Sequence, residues 1–113
     1  IVASPTGSTA YALSAGGPIL HPALPALVVV PICPHTFSNR PIVVSSDSVI
    51  EVVMVGLEQH QAYVSFDGQS SFSLEDGDHI YVRRADAAIE LVHPSGRSHF
   101  DVLREKLHWG KKL

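Results

Sequence analysis

The chain has 113 residues, 45% of them hydrophobic and 17% charged, with a formal net charge of −3. That length closes one modest hydrophobic core, and so many apolar residues with so few charges exclude a disordered tail. The acidic balance, with no basic stretch beyond Arg83-Arg84 and Lys111-Lys112, argues against nucleic acid as a partner; no apolar run approaches the roughly 20 residues of a membrane span.

In chain order, Ile1 to Ala3 reads as the end of a buried strand. With no Met in front of it, the chain reads as a piece of a longer protein. Ser4-Pro5-Thr6-Gly7-Ser8 is a turn. Ser8 or Thr9 is expected to cap a short helix over 9–15, which Gly16-Gly17-Pro18 ends. Ala26 to Ile32 is a continuous Val-rich run, expected to be a strand buried on both faces. Pro41–Ser45 and Val49–Val55 read as two strands of a hairpin turned by Ser46-Asp47-Ser48. Ala62–Phe66 and Ser71–Leu74 flank Asp67-Gly68, the strongest hairpin signal in the chain. His79–Arg84 and Ile89–His93 are expected to form a third pair. Ser98 is placed to cap a helix from His99 to about His108, with Phe100, Leu103 and Leu107 as its apolar stripe. Six or seven short strands at this spacing predict a mainly β chain of antiparallel hairpins, a β-sandwich or part of one.

Chemistry is sparse. Seven histidines (21, 35, 60, 79, 93, 99 and 108) follow no metal-ligand spacing, and Cys33 stands alone. One cysteine leaves no internal disulfide and points to a reducing compartment. Cys33 beside His35 lacks the third, orienting group of a nucleophilic site. Glu75, Asp76 and Asp78 read as a solvated turn. The segment from Pro5 to Gly17 is different. Small residues let another molecule approach its backbone. The hydroxyls of Thr6, Ser8 and Thr9 near a helix start suggest an anion site. Tyr11 and Ser14 lie three apart and project from one side, where a ring can stack and a hydroxyl can bond a base edge. No Lys follows the glycines, so this is not a Walker A loop. A plain tight strand-to-helix turn is the competing reading.

Pro5 through Pro18, in the pattern PTGSTAYxxSxGGP, resembles the Gly-rich signature of the NAD kinases. The resemblance runs on through Ile19-Leu20-His21-Pro22, Val30 to His35, Arg40 to Val44, Phe66-Asp67-Gly68-Gln69 and Lys106 to Gly110, in the manner of the bacterial branch. It implies an enzyme that moves the γ-phosphoryl of ATP, with a divalent metal such as Mg2+, to the 2′-hydroxyl of the adenosine ribose of NAD, giving NADP. Some members use polyphosphate. It also implies a cytoplasmic homodimer or homotetramer built from an N-terminal α/β domain and a C-terminal β-sandwich, with this chain as most of the latter. Carried over by position, Thr9, Ala10, Tyr11, Ala12, Leu13 and Ser14 bind the dinucleotide, Tyr11 by stacking on adenine. Gln69 reaches the same site, and His35 is a further candidate. The family's Gly-Gly-Asp-Gly motif, which holds the presumed base, and its Asn-Glu or Asn-Asp pair would lie before Ile1. The resemblance therefore places no catalytic and no metal-binding residue in this chain, which alone is expected not to phosphorylate NAD. It also implies that the C-terminal helix crosses to the N-terminal domain. Here that helix is expected to be poorly ordered or to pack on a neighbouring chain, unless it folds on its own sheet. Two other readings stand beside this one: a relative of the diacylglycerol and sphingosine kinases, and a non-catalytic binding or oligomerisation module. The lipid reading is disfavoured because a lipid headgroup offers Tyr11 no base to stack on.

Overall fold

The computed structural model describes residues 1–32 and 39–111. It is mainly β, with antiparallel strands, and divides into two compact units: Ile1–Ser46 with Ala85–Leu113, and Asp47–Arg84. Among the described residues no helix is long and apolar enough to cross a membrane.

The first unit holds a three-stranded sheet of β1 (Val2–Ala3), β2 (Ala26–Val29) and β3 (Ile42–Ser45), in the order β1-β2-β3. Between β1 and β2 lie a 3-10 turn, Thr6–Thr9, and α1, Tyr11–Ser14. The core is small and built from small side chains. Ala12 of α1 packs with Leu20, Val28 and Val30, and Ile1, Ala3, Ala15 and Ala26 close around them. Each fully buried valine contributes on the order of 1.5–3 kcal/mol, so Val28 and Val30 carry much of this unit.

β2 is shorter than its apolar run, and it is not sealed on both faces. Val28 and Val30 are buried against α1, whereas Leu27 and Val29 are half-buried. Those two line up with Val44 and Ile42 across the ladder. The expected helix over 9–15 is split. Ala10, at φ −101 and ψ −126, separates the 3-10 turn from α1, and no side chain caps either piece. The hydroxyls expected to cap are bonded elsewhere. Ser8 Oγ donates to the Pro5 carbonyl at 2.6 Å, and Thr9 Oγ1 donates to the Thr6 carbonyl at 3.3 Å. The helix end is as expected, with Gly16 at φ 90 just beyond it.

The second unit holds two two-stranded sheets. β4 (Ile50–Val53) pairs with β7 (His79–Val82), and β5 (Ala62–Phe66) pairs with β6 (Ser70–Leu74). The β5–β6 hairpin forms at Asp67-Gly68, whose φ values of 50 and 68 give the left-handed turn that fits strand twist. Two expected hairpins are absent. β3 pairs with β2 and β4 with β7, so Ser46-Asp47-Ser48 is a crossing between units. The Ser46 N–H extends the β2–β3 ladder by donating to the Pro25 carbonyl at 2.9 Å. Residues 89–93 form no strand, and β7 pairs with β4 instead; Ile89 is 89% exposed and Val92 94%. A row of alternating apolar residues becomes a strand only where a neighbour completes its ladder.

α2 spans His99–Lys106 in the first unit. Its start is a capping box: Ser98 Oγ accepts from the Asp101 N–H at 3.1 Å, and Asp101 Oδ2 accepts from the Ser98 N–H at 3.0 Å. Those bonds, with Arg104 at 2.7 Å, hold the Asp101 carboxyl below the usual carboxylate range. Of the predicted stripe only Leu103 is buried; Phe100 and Leu107 are partly open. The helix forms, and it touches its own unit where the rings of His99 and Phe100 meet that of His21.

Candidate functional site

The segment from Pro5 to Gly17 leaves β1, makes the 3-10 turn and enters α1, which lies on β2 through Ala12. Two contacts fix it there. The first is Ser8, fully buried, whose Oγ accepts from the Leu20 N–H at 3.0 Å while donating to Pro5. Ser8→Ala is expected to leave the buried Leu20 N–H without an acceptor, at a cost of about 1–3 kcal/mol. Urea unfolding checks this; an unchanged midpoint contradicts it. The second is Gly17, whose N–H donates to the Ala12 carbonyl at 2.8 Å. A Cβ at Gly17 would sit 2.8 Å from both that oxygen and Val30 Cγ2, so only glycine permits this approach of helix end to strand.

With Ala12 turned inward, the opposite face of α1 turns outward. Tyr11, 62% exposed, and Ser14 stand one turn apart and line an open depression of about 270 Å³ with Ala15 and Ile32. Among the described residues no lining residue is charged. A neutral, largely apolar floor with one phenol and one hydroxyl suits a flat heteroaromatic ring better than an anion. Of the hydroxyls of Thr6, Ser8 and Thr9 expected at an anion site, those of Ser8 and Thr9 donate to the turn itself.

The predicted residues thus divide. Thr9 and Ala10 are exposed on the approach to α1, Tyr11 and Ser14 line the depression, and Leu13 is half-buried. The Ala12 side chain is 1% exposed and belongs to the core. Gln69 is exposed on the second unit, where its N–H closes the β5–β6 turn onto the Phe66 carbonyl at 2.9 Å. His35 lies outside the described residues. Ala15 and Ile32 were not anticipated as lining; Ile32 reaches the depression just past β2, a tertiary neighbour of α1 with no local signature. Among the described residues no three His, Cys, Asp or Glu side chains gather to hold a metal ion. They do not fit the divalent ion implied by the resemblance, and no chemical step is assigned through one.

The site is thus a Gly-rich strand-to-helix segment on an antiparallel sheet, opening on an aromatic-edged depression. Residues 1–94 match the family described as the ATP-NAD kinase C-terminal domain, and the chain belongs to the NAD kinase family. The NAD kinase of Thiobacillus denitrificans is 58% identical over 113 residues, which are 100% of this chain and 38% of that protein. A yeast NADH kinase crystallised with NADH superposes with a TM-score of 0.85 at 31% identity, covering 99% of this chain and 35% of that one. An Archaeoglobus fulgidus NAD kinase in complex with ATP gives a TM-score of 0.64 at 40% identity, over 75% of this chain and 31% of that one. The chain thus spans about a third of the length of these relatives.

Proposed function

We propose that this chain is the dinucleotide-binding C-terminal domain of an NAD kinase, which phosphorylates the adenosine ribose 2′-hydroxyl of NAD with ATP to give NADP. The observation that carries the reading is the exposed Tyr11–Ser14 face of α1 beside an uncharged depression, on a chain that belongs to this family. In it Tyr11 stacks on the adenine. The hydroxyls of Thr9 and Ser14 bond the ring edge or ribose. Ala10, Ala12 and Leu13 contribute backbone groups, and the family resemblance adds Gln69 as a contact. His35 is a further contact. These residues bind and orient; none takes or gives a proton in the transfer.

Phosphoryl transfer needs positioning and charge stabilisation together. In this proposal the base and phosphate cradle lie on a preceding N-terminal α/β domain, and the divalent ion serves ATP there. The working form is a cytoplasmic homodimer or homotetramer. The comparisons offer no support for the lipid-kinase relative or the non-catalytic module. The test is NADP formation from NAD, ATP and Mg2+ by the full-length protein, beside this chain alone. Activity in the former and none in the latter is expected; an inactive, folded full-length protein would overturn the reading.

A further inference from the structure

We propose that His21, His99 and Phe100 form a pH-sensitive latch, which holds α2 on the first unit while both imidazoles are neutral and loosens it on acidification. The three rings meet pairwise. Centroids lie 4.9 Å apart for His21 and His99, edge-on, 5.7 Å for His21 and Phe100, and 5.8 Å for His99 and Phe100.

Two features make the neutral state the docked one. His21 Nδ1 accepts a hydrogen bond from the Ala23 N–H at 3.0 Å. An accepting ring nitrogen carries no proton, so this contact assigns His21 as the neutral tautomer protonated at Nε2. His99, for its part, is the first residue of α2, where unpaired backbone N–H groups leave partial positive charge. A cation there is disfavoured before the neighbouring ring is considered.

Among the described residues the carboxylates around α2 are paired with other groups. On α2, Asp101 is engaged with Ser98 and Arg104, and Arg97 pairs with Glu105. The segment that brings His21, Leu20 to Ala23, carries no other charge. Among the described residues no carboxylate bonds to either imidazole. Burial first, and His21 second, lower the His99 pKa from its ordinary value. A base lowered in the docked state takes up protons more readily once released. Docking is therefore fully favoured above the ordinary histidine range and weakens as pH falls through it. Leu20, next to His21, gives its N–H to Ser8, so the latch ties α2 to the segment that sets the 3-10 turn.

Amide hydrogen exchange of this chain tests the latch, corrected for intrinsic rates, with β2 as internal standard. The probes are Val102 and Leu107, whose N–H groups bond the Ser98 and Leu103 carbonyls. Between about pH 7.5 and about pH 5.5, their protection relative to β2 is expected to fall roughly threefold or more. This window lies above the titration of Asp101, whose value is lowered. The fall is expected to vanish in the double variant His21→Asn with His99→Asn, which cannot titrate and keeps an acceptor for Ala23. A constant ratio in the unsubstituted chain, or the same fall in the double variant, overturns the proposal.

Discussion

Gly17→Ala is expected to destabilise the chain by about 1–3 kcal/mol or more, the usual cost of forcing a methyl group into a closed site. The added Cβ would lie 2.8 Å from the Ala12 carbonyl oxygen and 2.8 Å from Val30 Cγ2. Neither neighbour yields easily. The oxygen is backbone and accepts the Gly17 N–H, and Val30 is fully buried. Relief requires α1 to lift from β2, which also moves Tyr11 and Ser14. The variant should therefore lower the melting temperature by roughly 5–20 °C, at several degrees per kcal/mol for a domain of this size. It should also weaken ligand binding by more than the stability loss alone explains. Thermal unfolding followed by circular dichroism checks the first effect; an unchanged midpoint would show that the helix end does not sit where described.

Tyr11→Ala in the full-length protein is expected to weaken productive NAD binding by roughly 5- to 150-fold, the equivalent of about 1–3 kcal/mol for one base stacked on an aromatic ring. Tyr11 is 62% exposed, so its truncation should change stability by no more than about 0.5 kcal/mol. That separation makes the variant informative. Steady-state kinetics should show KM for NAD rising and kcat falling with it, since the reacting 2′-hydroxyl sits on the ribose that the stacked adenine carries, and a loosened ring misplaces it. Tyr11→Phe keeps the ring face and should retain most of the affinity. An unchanged KM in Tyr11→Ala would remove the adenine from this helix.

What the sequence told in advance follows how local each feature is. The β5–β6 hairpin was legible because Asp67-Gly68 encodes its own turn, and the register Val64↔Phe72 follows from it. α2 was legible because Ser98 and Asp101 carry its start within four residues. The partners of β3, β4 and β7 were not. Ser46-Asp47-Ser48 looks like a hairpin turn locally, but β4 finds β7 instead, Glu51 facing Tyr81 with His79 bonded diagonally to Glu51 at 2.7 Å. Strand pairing over such a separation depends on which apolar faces need covering, not on the intervening residues. Ser8 shows the same limit at one residue. A serine before a helix reads as a cap, yet its hydroxyl is taken by Leu20, twelve residues on. At the site, helical spacing exposed the Tyr11–Ser14 pair, whereas Ile32 joins them only through the packing of α1 on β2. Gln69 came from family resemblance alone, and no local feature of its turn marks it as a ligand residue.

In the proposed function the outward face of α1 receives the adenine of NAD. Photolabelling the full-length protein with an 8-azidoadenine analogue of NAD, followed by peptide mapping, tests this most directly. A label within residues 9–14, centred on Tyr11 and suppressed by excess NAD, is expected. A protein that forms NADP yet carries its competable label wholly outside that segment would contradict it.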